Sequence, residues 1–386
     1  MSMITICDID FRKASMFMRT HRTKCRCLKR FGVCIFAIGL LPILIVYFMV
    51  SDQIYYRIKR TDIENGTQLI RDDASLSHKE IKNIENRMQK RTKRLAHKCS
   101  EFGLDVREND PLHRPNSWEF LVNRKYHLIW CNVFKAASTS WMYNFNILAG
   151  YSPEFLHKSN IVPLELARKR YERVSIAQLD KALNDSISFL IVRHPFERLL
   201  SAYRDKIMFA IPHSFHDKLG NRIIKKYRKN QRWSREPKWP LFSEFVSYLL
   251  DEMNKAKPKT DMHWIPITEF CTPCQIRFDV IAKFETLEED QKFLIEKAQL
   301  RKMITPQWKN SGKGKNTQNL VTKFFSQLSP KQLNGLCDIY KYDLELFNYS
   351  PEPFCSLSKD SMTKTTKIVL TDSINNTQEM QKLNSV

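Results

Sequence analysis

Runs of apolar residues along the chain are of three kinds, and each predicts a different element. The longest, Phe31–Val50 (FGVCIFAIGLLPILIVYFMV), carries no charge over twenty residues. As a helix rising about 1.5 Å per residue it is long enough to cross a hydrocarbon core of about 30 Å, and Pro42 is tolerated in such a span. Short continuous runs follow at His127–Val133 (HLIWCNV), Ser186–Val192 (SISFLIV) and Phe278–Phe284 (FDVIAKF), which predict buried strands. The third kind recurs at helical steps. Phe242, Phe245, Val246, Leu249 and Met253 mark a core-packing helix over Leu241–Met253. A polar turn, Glu285–Asp290, leads into a helix through Ala298, and Ser329-Pro330 is an N-cap followed by an N1 proline, opening a terminal helix to Phe347. Strands alternating with helices predict an α/β domain built on a central, mostly parallel sheet.

Between the long apolar run and the first strand, Ser51–Pro111 is polar and reads as a stem. Within it Ile81, Ile84, Met88 and Leu95 stand at steps of 3, 4 and 7, which suits one amphipathic helix or barely two heptads of a helical pair between two chains, leaving a homodimer open. The expected organisation is therefore a basic tail 1–30, an anchor 31–50, a stem 51–110, a folded domain 111–355 and a tail 356–386. The last is rich in Ser, Thr, Asn and Lys, has no apolar stripe and is expected to be disordered.

Composition adds a partner class and topology narrows it. The 386 residues are 42% hydrophobic, enough for one sizeable core, and the net charge of +22 implies an anionic partner. Nucleic acid, membrane surface, a phosphorylated cofactor and an acidic polysaccharide all qualify. Arg12, Lys13, Arg19, Arg22, Lys24, Arg26, Lys29 and Arg30 precede the apolar run, so by the positive-inside tendency that end stays cytosolic and the rest is luminal. A cleaved signal peptide is disfavoured, because the run exceeds the usual stretch of about 7–15 residues and no small-x-small site follows it. In a lumen nucleic acid drops out as a partner. Cysteine usage agrees: Cys99, Cys131, Cys271, Cys274, Cys337 and Cys355 make an even set on the oxidising side, their pairing unreadable from sequence. Cys271-Thr-Pro-Cys274 invites a thiol oxidoreductase reading, but it does not open a helix, and no second Cys or His pair stands nearby to complete a zinc site. Sequons occur at Asn65, Asn184, Asn348 and Asn375.

Candidate chemistry lies where the strands end. After HLIWCNV the chain turns to Phe134, Lys135, Ala136, Ala137, Ser138, Thr139 and Ser140 before Trp141 resumes an apolar pattern. Such a loop offers backbone N–H groups, hydroxyls, a helix N-terminus and the Lys135 charge to an anion, a P-loop-like arrangement. It is not a Walker A loop. No glycine stands between Tyr126 and Ala149, and the lysine precedes the Ser/Thr run, which excludes an ordinary nucleotide kinase. The second strand likewise ends on a cation, Arg193, with a helix started by Pro195. Ligands of open α/β sheets collect at the carboxyl ends of the strands, so Lys135 with its loop and Arg193 with Ser201 are placed to hold two phosphate groups of one ligand.

These two stretches resemble the Golgi carbohydrate sulfotransferases that include the chondroitin and dermatan 4-O-sulfotransferases. That family reads C-x-V-P-K-x-x-C/S-T-x-W and R-x-P-F-x-R-L-x-S-A-Y-R; here they stand as Cys131–Trp141 (CNVFKAASTSW) and Arg193–Arg204 (RHPFERLLSAYR). Phe134, Ser138 and Ser140 replace the usual proline, cysteine and asparagine. Asp261-x-His263-Trp264-x-Pro266, Cys271-Thr-Pro-Cys274, Lys283-Phe-Glu-Thr286 and Tyr340-x-x-Asp343-x-x-Leu346-Phe347 match in order, so the likeness runs from Cys99 to Tyr349.

The resemblance implies a sulfotransferase-like fold for 111–355, a Golgi membrane location with the catalytic domain in the lumen, and 3′-phosphoadenosine 5′-phosphosulfate as donor. It implies that Phe134–Ser140 line the 5′-phosphosulfate. Arg193, His194, Pro195, Phe196, Glu197, Arg198, Leu199, Leu200 and Ser201 then line the 3′-phosphate. In-line sulfuryl transfer needs positioning and charge neutralisation on the bridging oxygen, the role expected of Lys135. No paired acids stand near either motif, so no metal is expected. His263 is the first candidate for general base and His194 the second; a structural histidine beside Trp264 is the plainer reading of His263. The acceptor implied is the GalNAc 4-hydroxyl of chondroitin, with dermatan, terminal glucuronic acid and uronyl 2-O acceptors behind it. A basic strip with aromatics, Lys218–Trp239, suits an anionic glycosaminoglycan, with Lys225, Lys226, Arg228 and Lys229 as candidate contacts; a solvated loop is the alternative. Two other classes stay open: an inactive, membrane-anchored polysaccharide-binding protein, suggested by Phe134 and Ser138, and the thiol oxidoreductase.

Overall fold

The computed structural model describes residues 76–228, 237–307 and 317–355. The tail 1–30, the anchor expected at 31–50, the sequons Asn65 and Asn375, and the tail 356–386 lie outside the described residues. Among the described residues no helix is long and apolar enough to cross a membrane.

The sheet has the order β1 (Phe120–Asn123), β2 (Leu128–Cys131), β3 (Ile187–Val192), β4 (Val280–Lys283). The three expected runs form the three parallel strands β2, β3 and β4, with Leu128 opposite Ile187 and Val192 opposite Lys283. The loops leaving them therefore open along one edge. The short edge strand β1, antiparallel to β2, was not expected, because FLVN is too brief to carry a period. Helix Ser138–Leu148 covers one face by setting Trp141 and Phe145 against the sheet, with ring centroids 4.6 Å from Phe189 and 5.3 Å from Trp130.

A second core lies among helices Pro195–Ala202, Phe215–Tyr227, Phe242–Met253 and Pro330–Ile339, built on Phe196, Tyr203, Phe245, Trp264 and Phe325. Ser329 caps the last of these as expected, accepting from the Gln332 N–H at 3.3 Å. The terminal helix is not continuous to Phe347. It breaks at Tyr340, whose hydroxyl donates to the Trp264 carbonyl at 2.6 Å, and restarts as Lys341–Leu346.

The stretch 51–110 divides differently from the expected stem, since the folded body begins at Leu76. Helix His78–Glu101 is capped by Ser77 and buries Ile84, Met88, Leu95 and Cys99. It packs on β4 and on helix Leu287–Lys297. Arg87 and Arg91 reach the fully buried Asp290 at 2.7 and 2.6 Å, and Arg91 also donates to the Ile281 carbonyl at 2.8 Å. The apolar stripe that a helical pair between chains would need is thus covered within the chain. Each of its buried aliphatic side chains contributes about 1.5–3 kcal/mol.

The cysteines pair as Cys99–Cys274, Cys131–Cys271 and Cys337–Cys355. Both members of the CTPC motif are held by remote partners, which removes the dithiol that an oxidoreductase needs.

Candidate active site

The loop after β2 takes its shape from two residues in the left-handed region, Lys135 at φ 69° and Ala137 at φ 58°. Each costs a non-glycine residue roughly 1–2 kcal/mol, so the conformation must be imposed by its surroundings. Two arginines from the second motif do so. Arg198 Nε donates to the Phe134 carbonyl at 2.9 Å and Arg193 Nη1 to the Lys135 carbonyl at 3.4 Å. Ala137 caps helix Ser138–Leu148 without a side-chain acceptor. Among the described residues the N–H groups of Lys135, Ala137, Ser138 and Thr139 donate to no carbonyl or side chain. They form a concave set of donors at the positive end of a helix, the arrangement that fits a phosphate or sulfonate.

Lys135 Nζ lies 3.1 Å from Asp205, on a π-helical segment Tyr203–Met208 that extends the second-motif helix. Burial lowers the Lys135 pKa and Asp205 only partly offsets this. Burial pushes Asp205 up, but Lys135 and Lys206 outweigh it and hold that carboxyl below its usual range. Lys206 also reaches Asp205, at 3.2 Å, so two lysines share this carboxylate.

The second motif divides into residues that face the site and residues that build it. Arg193 ends β3, with Glu197 at 3.2 Å and the Phe284 ring 4.2 Å beneath its guanidinium. Ser201 is half-buried on the same helix. Pro195, Phe196, Leu199 and Leu200, expected to line a phosphate, are buried in the core. Arg198 is also redirected. Only 1% exposed, it donates to the carbonyls of Phe134, Ile265 (2.7 Å) and Met262 (3.3 Å), so it clamps the anion loop to the DMHW segment. His194 is the helix cap: Nδ1 accepts from the Phe196 N–H at 3.2 Å, leaving Nε2 to donate to the Ser350 carbonyl at 3.1 Å. With both ring nitrogens engaged it is not placed to act as a base.

His263 is placed differently. Its Nδ1 meets Asp261 Oδ1 at 2.6 Å, while His216 Nε2 meets Oδ2 of the same carboxylate at 2.9 Å. Nδ1 is thereby the protonated nitrogen and Nε2 the acceptor, the tautomer a general base requires. Burial lowers the His263 pKa, with Asp261 pulling the other way. Burial likewise raises Asp261, but hydrogen bonds from the two imidazoles overcome it and hold it far below the usual carboxylate range. The three side chains offer ligand atoms within 4.8 Å of one another, a set that can also hold a divalent cation. The Phe134 ring lies 5.0 Å from His263 and 6.2 Å from Phe270, so the aromatic residue standing where the family has proline packs against the candidate base.

Asp205 and His216 carried no sequence signal of their own: an acid in a basic helix and a histidine outside every motif. Of the basic strip, Lys229 lies outside the described residues. Arg228 is removed as a polysaccharide contact, because Glu244 grips it at 2.9 and 3.0 Å and the carbonyls of Pro237 and Trp239 take two more of its donors. Lys226 pairs with Asp251 at 2.8 Å, and Lys225 is exposed. Asn184 and Asn348 are exposed, as their sequons require.

The profile described as "Sulfotransferase family" matches residues 118–350. Carbohydrate sulfotransferase 11 of Mus musculus is 34% identical over 250 residues, covering 63% of this chain and 70% of that one. Carbohydrate sulfotransferase 8 of Homo sapiens is 31% identical over 276 residues, 70% of this chain and 64% of that one. Carbohydrate sulfotransferase 10 of Xenopus laevis is 29% identical over 282 residues, 69% and 77% of the two chains. No solved structure matches at a significant level. Likeness on this scale, spanning the anion loop, the Arg193 helix and the DMHW segment, places the chain in the sulfotransferase family, as a carbohydrate sulfotransferase that draws its sulfuryl group from 3′-phosphoadenosine 5′-phosphosulfate.

Proposed function

We propose that this chain sulfates the 4-hydroxyl of N-acetylgalactosamine in chondroitin or dermatan, acting in the Golgi lumen as a single-span type II membrane protein. The carrying observation is the junction of donor loop and base: Arg198 binds the carbonyls of Phe134, Met262 and Ile265, and the Phe134 ring rests beside His263. Topology rests on the uncharged run Phe31–Val50 and the cations before it. The acceptor class rests on the likeness of the motifs to the chondroitin and dermatan 4-O-sulfotransferases.

In this reading the open N–H groups of Lys135, Ala137, Ser138 and Thr139 and the Ser138 and Thr139 hydroxyls hold the phosphosulfate, while Arg193 and Ser201 take the 3′-phosphate. Lys135 leaves Asp205 for the donor and neutralises the charge that grows on the bridging oxygen. His263 Nε2 takes the proton of the attacking sugar hydroxyl, and Asp261 stabilises the imidazolium. Incubating the protein with labelled donor and a panel of desulfated polysaccharides, then locating the label, tests this. Label on the GalNAc 4-hydroxyl is expected; label only on a uronic acid or on a neutral glycan refutes the acceptor assignment.

A further inference from the structure

An open cleft of about 730 Å³ borders the DMHW segment, and no role assigned so far uses it. Its size is that of sites for small organic ligands, roughly 300–1,000 Å³. Thr260 and Ile265 form part of its wall. These residues flank Asp261–Trp264, so the strip of chain that carries His263 also borders the cleft. A glycan whose hydroxyl reaches His263 therefore has this cleft beside the same strip of chain.

The lining has the chemistry of a site for an acidic sugar. Trp118 is 53% exposed and offers an indole face. Arg173 stands 4.1 Å from that ring and is bound to Glu119 through one nitrogen at 3.2 Å. Arg114 is exposed and has no partner among the described residues. Glu269 is half-buried, likewise without a hydrogen-bond partner among the described residues. An aromatic plate, two guanidinium groups and one free carboxyl match a sugar ring, a carboxylate and a hydroxyl in turn. The rival site, the basic strip, is weakened because Arg228 and Lys226 already hold carboxylates of their own.

We propose that the cleft bordered by Arg114, Trp118, Arg173 and Glu269 binds the uronic acid next to the sugar being sulfated, and so selects uronate-bearing acceptors over neutral ones. The assignment rests on the reading of His263 as the residue that meets the acceptor hydroxyl. Burial, with the Asp343 charge adding to it, pushes the Glu269 carboxyl up to about 7, so near neutral pH it does not oppose an anion as a full charge would.

The test compares a desulfated chondroitin oligosaccharide with the same oligosaccharide after reduction of its uronate carboxyls to alcohols. Turnover and direct binding by calorimetry are measured on the parent protein, Arg114→Ala and Trp118→Ala. Carboxyl reduction should weaken the parent's acceptor KM and Kd by about 10- to 100-fold, the worth of one charge-assisted hydrogen-bonded pair. Arg114→Ala should cost about as much with the uronate acceptor and almost nothing with the reduced one, with donor KM unchanged. Trp118→Ala should weaken both acceptors alike. Equal affinity of the parent for both acceptors, or an Arg114→Ala protein that still tells them apart as the parent does, overturns the assignment even if sulfation proceeds. Carboxyl-dependent binding that Arg114→Ala abolishes, without any turnover, supports the cleft and refutes the acceptor reaction instead.

Discussion

Lys135 shows how one side chain is prepared for its task. It stands on a left-handed backbone and half-buried, and an acid that can be displaced keeps it charged. Lys135→Ala should lower kcat by about 10²–10³, the usual loss when one stabiliser of developing charge is removed, with unchanged circular dichroism; near-parental turnover would contradict its role. His263 makes a prediction in pH. Its pKa lies below the usual imidazole value, so the neutral base accumulates as pH rises and the limb of kcat/KM should have its midpoint below about 6.5. Asp261→Asn removes the charge that raises this pKa. The limb of the profile should move to lower pH while the plateau falls, because the ring also loses its orientation; a profile unchanged in both respects would remove Asp261 from the mechanism. Glu269 bears on stability. Its carboxyl is raised from 4.5 to about 7, so its contribution is complete below pH 4.5 and is lost as pH rises through 7. Glu269→Gln should therefore be more stable than the parent at pH 8, by about 1–2 kcal/mol after allowing for solvent at the cleft, and so show the higher Tm. At pH 5 the two proteins should melt nearly together.

At the scale of elements, three parallel strands were legible because each is a short, continuous apolar run closed by a change of composition. The helices were legible where an apolar period or a Ser-Pro start stood out. What escaped was set by contacts distant in sequence. The break at Tyr340 is fixed by the Trp264 carbonyl and the capping use of His194 by Ser350, and the burial of Arg198 by three carbonyls from two loops. The second motif was therefore legible as a site but not residue by residue, since half of its side chains face the core. Arg228 repeats the lesson: within a run of cations it looks solvated, whereas Glu244 holds it in a buried pair. Arg228→Glu should cost about 3–5 kcal/mol, because it sets two carboxylates together where one was satisfied. Lys225→Glu, on the exposed face of the same helix, should stay within about 0.5 kcal/mol. Thermal melts of the two variants decide this, and equal melting points would mean that the Glu244 pair contributes nothing.

For the whole molecule, the boundary of the folded body matters most. A chain cut to begin at Pro111, as the stem reading suggests, lacks helix His78–Glu101 and so leaves β4 uncovered, Asp290 without its arginines and Cys274 without its partner. It should aggregate or fail to be secreted, while a chain beginning at Leu76 should fold and melt cooperatively; comparable secretion of the two would show the helix to be dispensable. The periodicity of Ile81, Ile84, Met88 and Leu95 was visible, but a period does not say which surface will cover it.

The disulfides carry a consequence for biosynthesis. Cys99–Cys274 and Cys131–Cys271 are nested bridges, spanning 175 and 140 residues. A ribosome adding roughly 5–20 residues per second needs from several seconds to about half a minute to make the segment between Cys131 and Cys271. On the proposed luminal topology, Cys99 and Cys131 spend that interval in an oxidising compartment with only each other to meet, and when the later pair arrives it comes as a CxxC that closes readily on itself. On that topology both wrong pairs meet before the right ones, so the yield of active enzyme should follow the disulfide isomerase capacity of the cell more closely than its oxidising power.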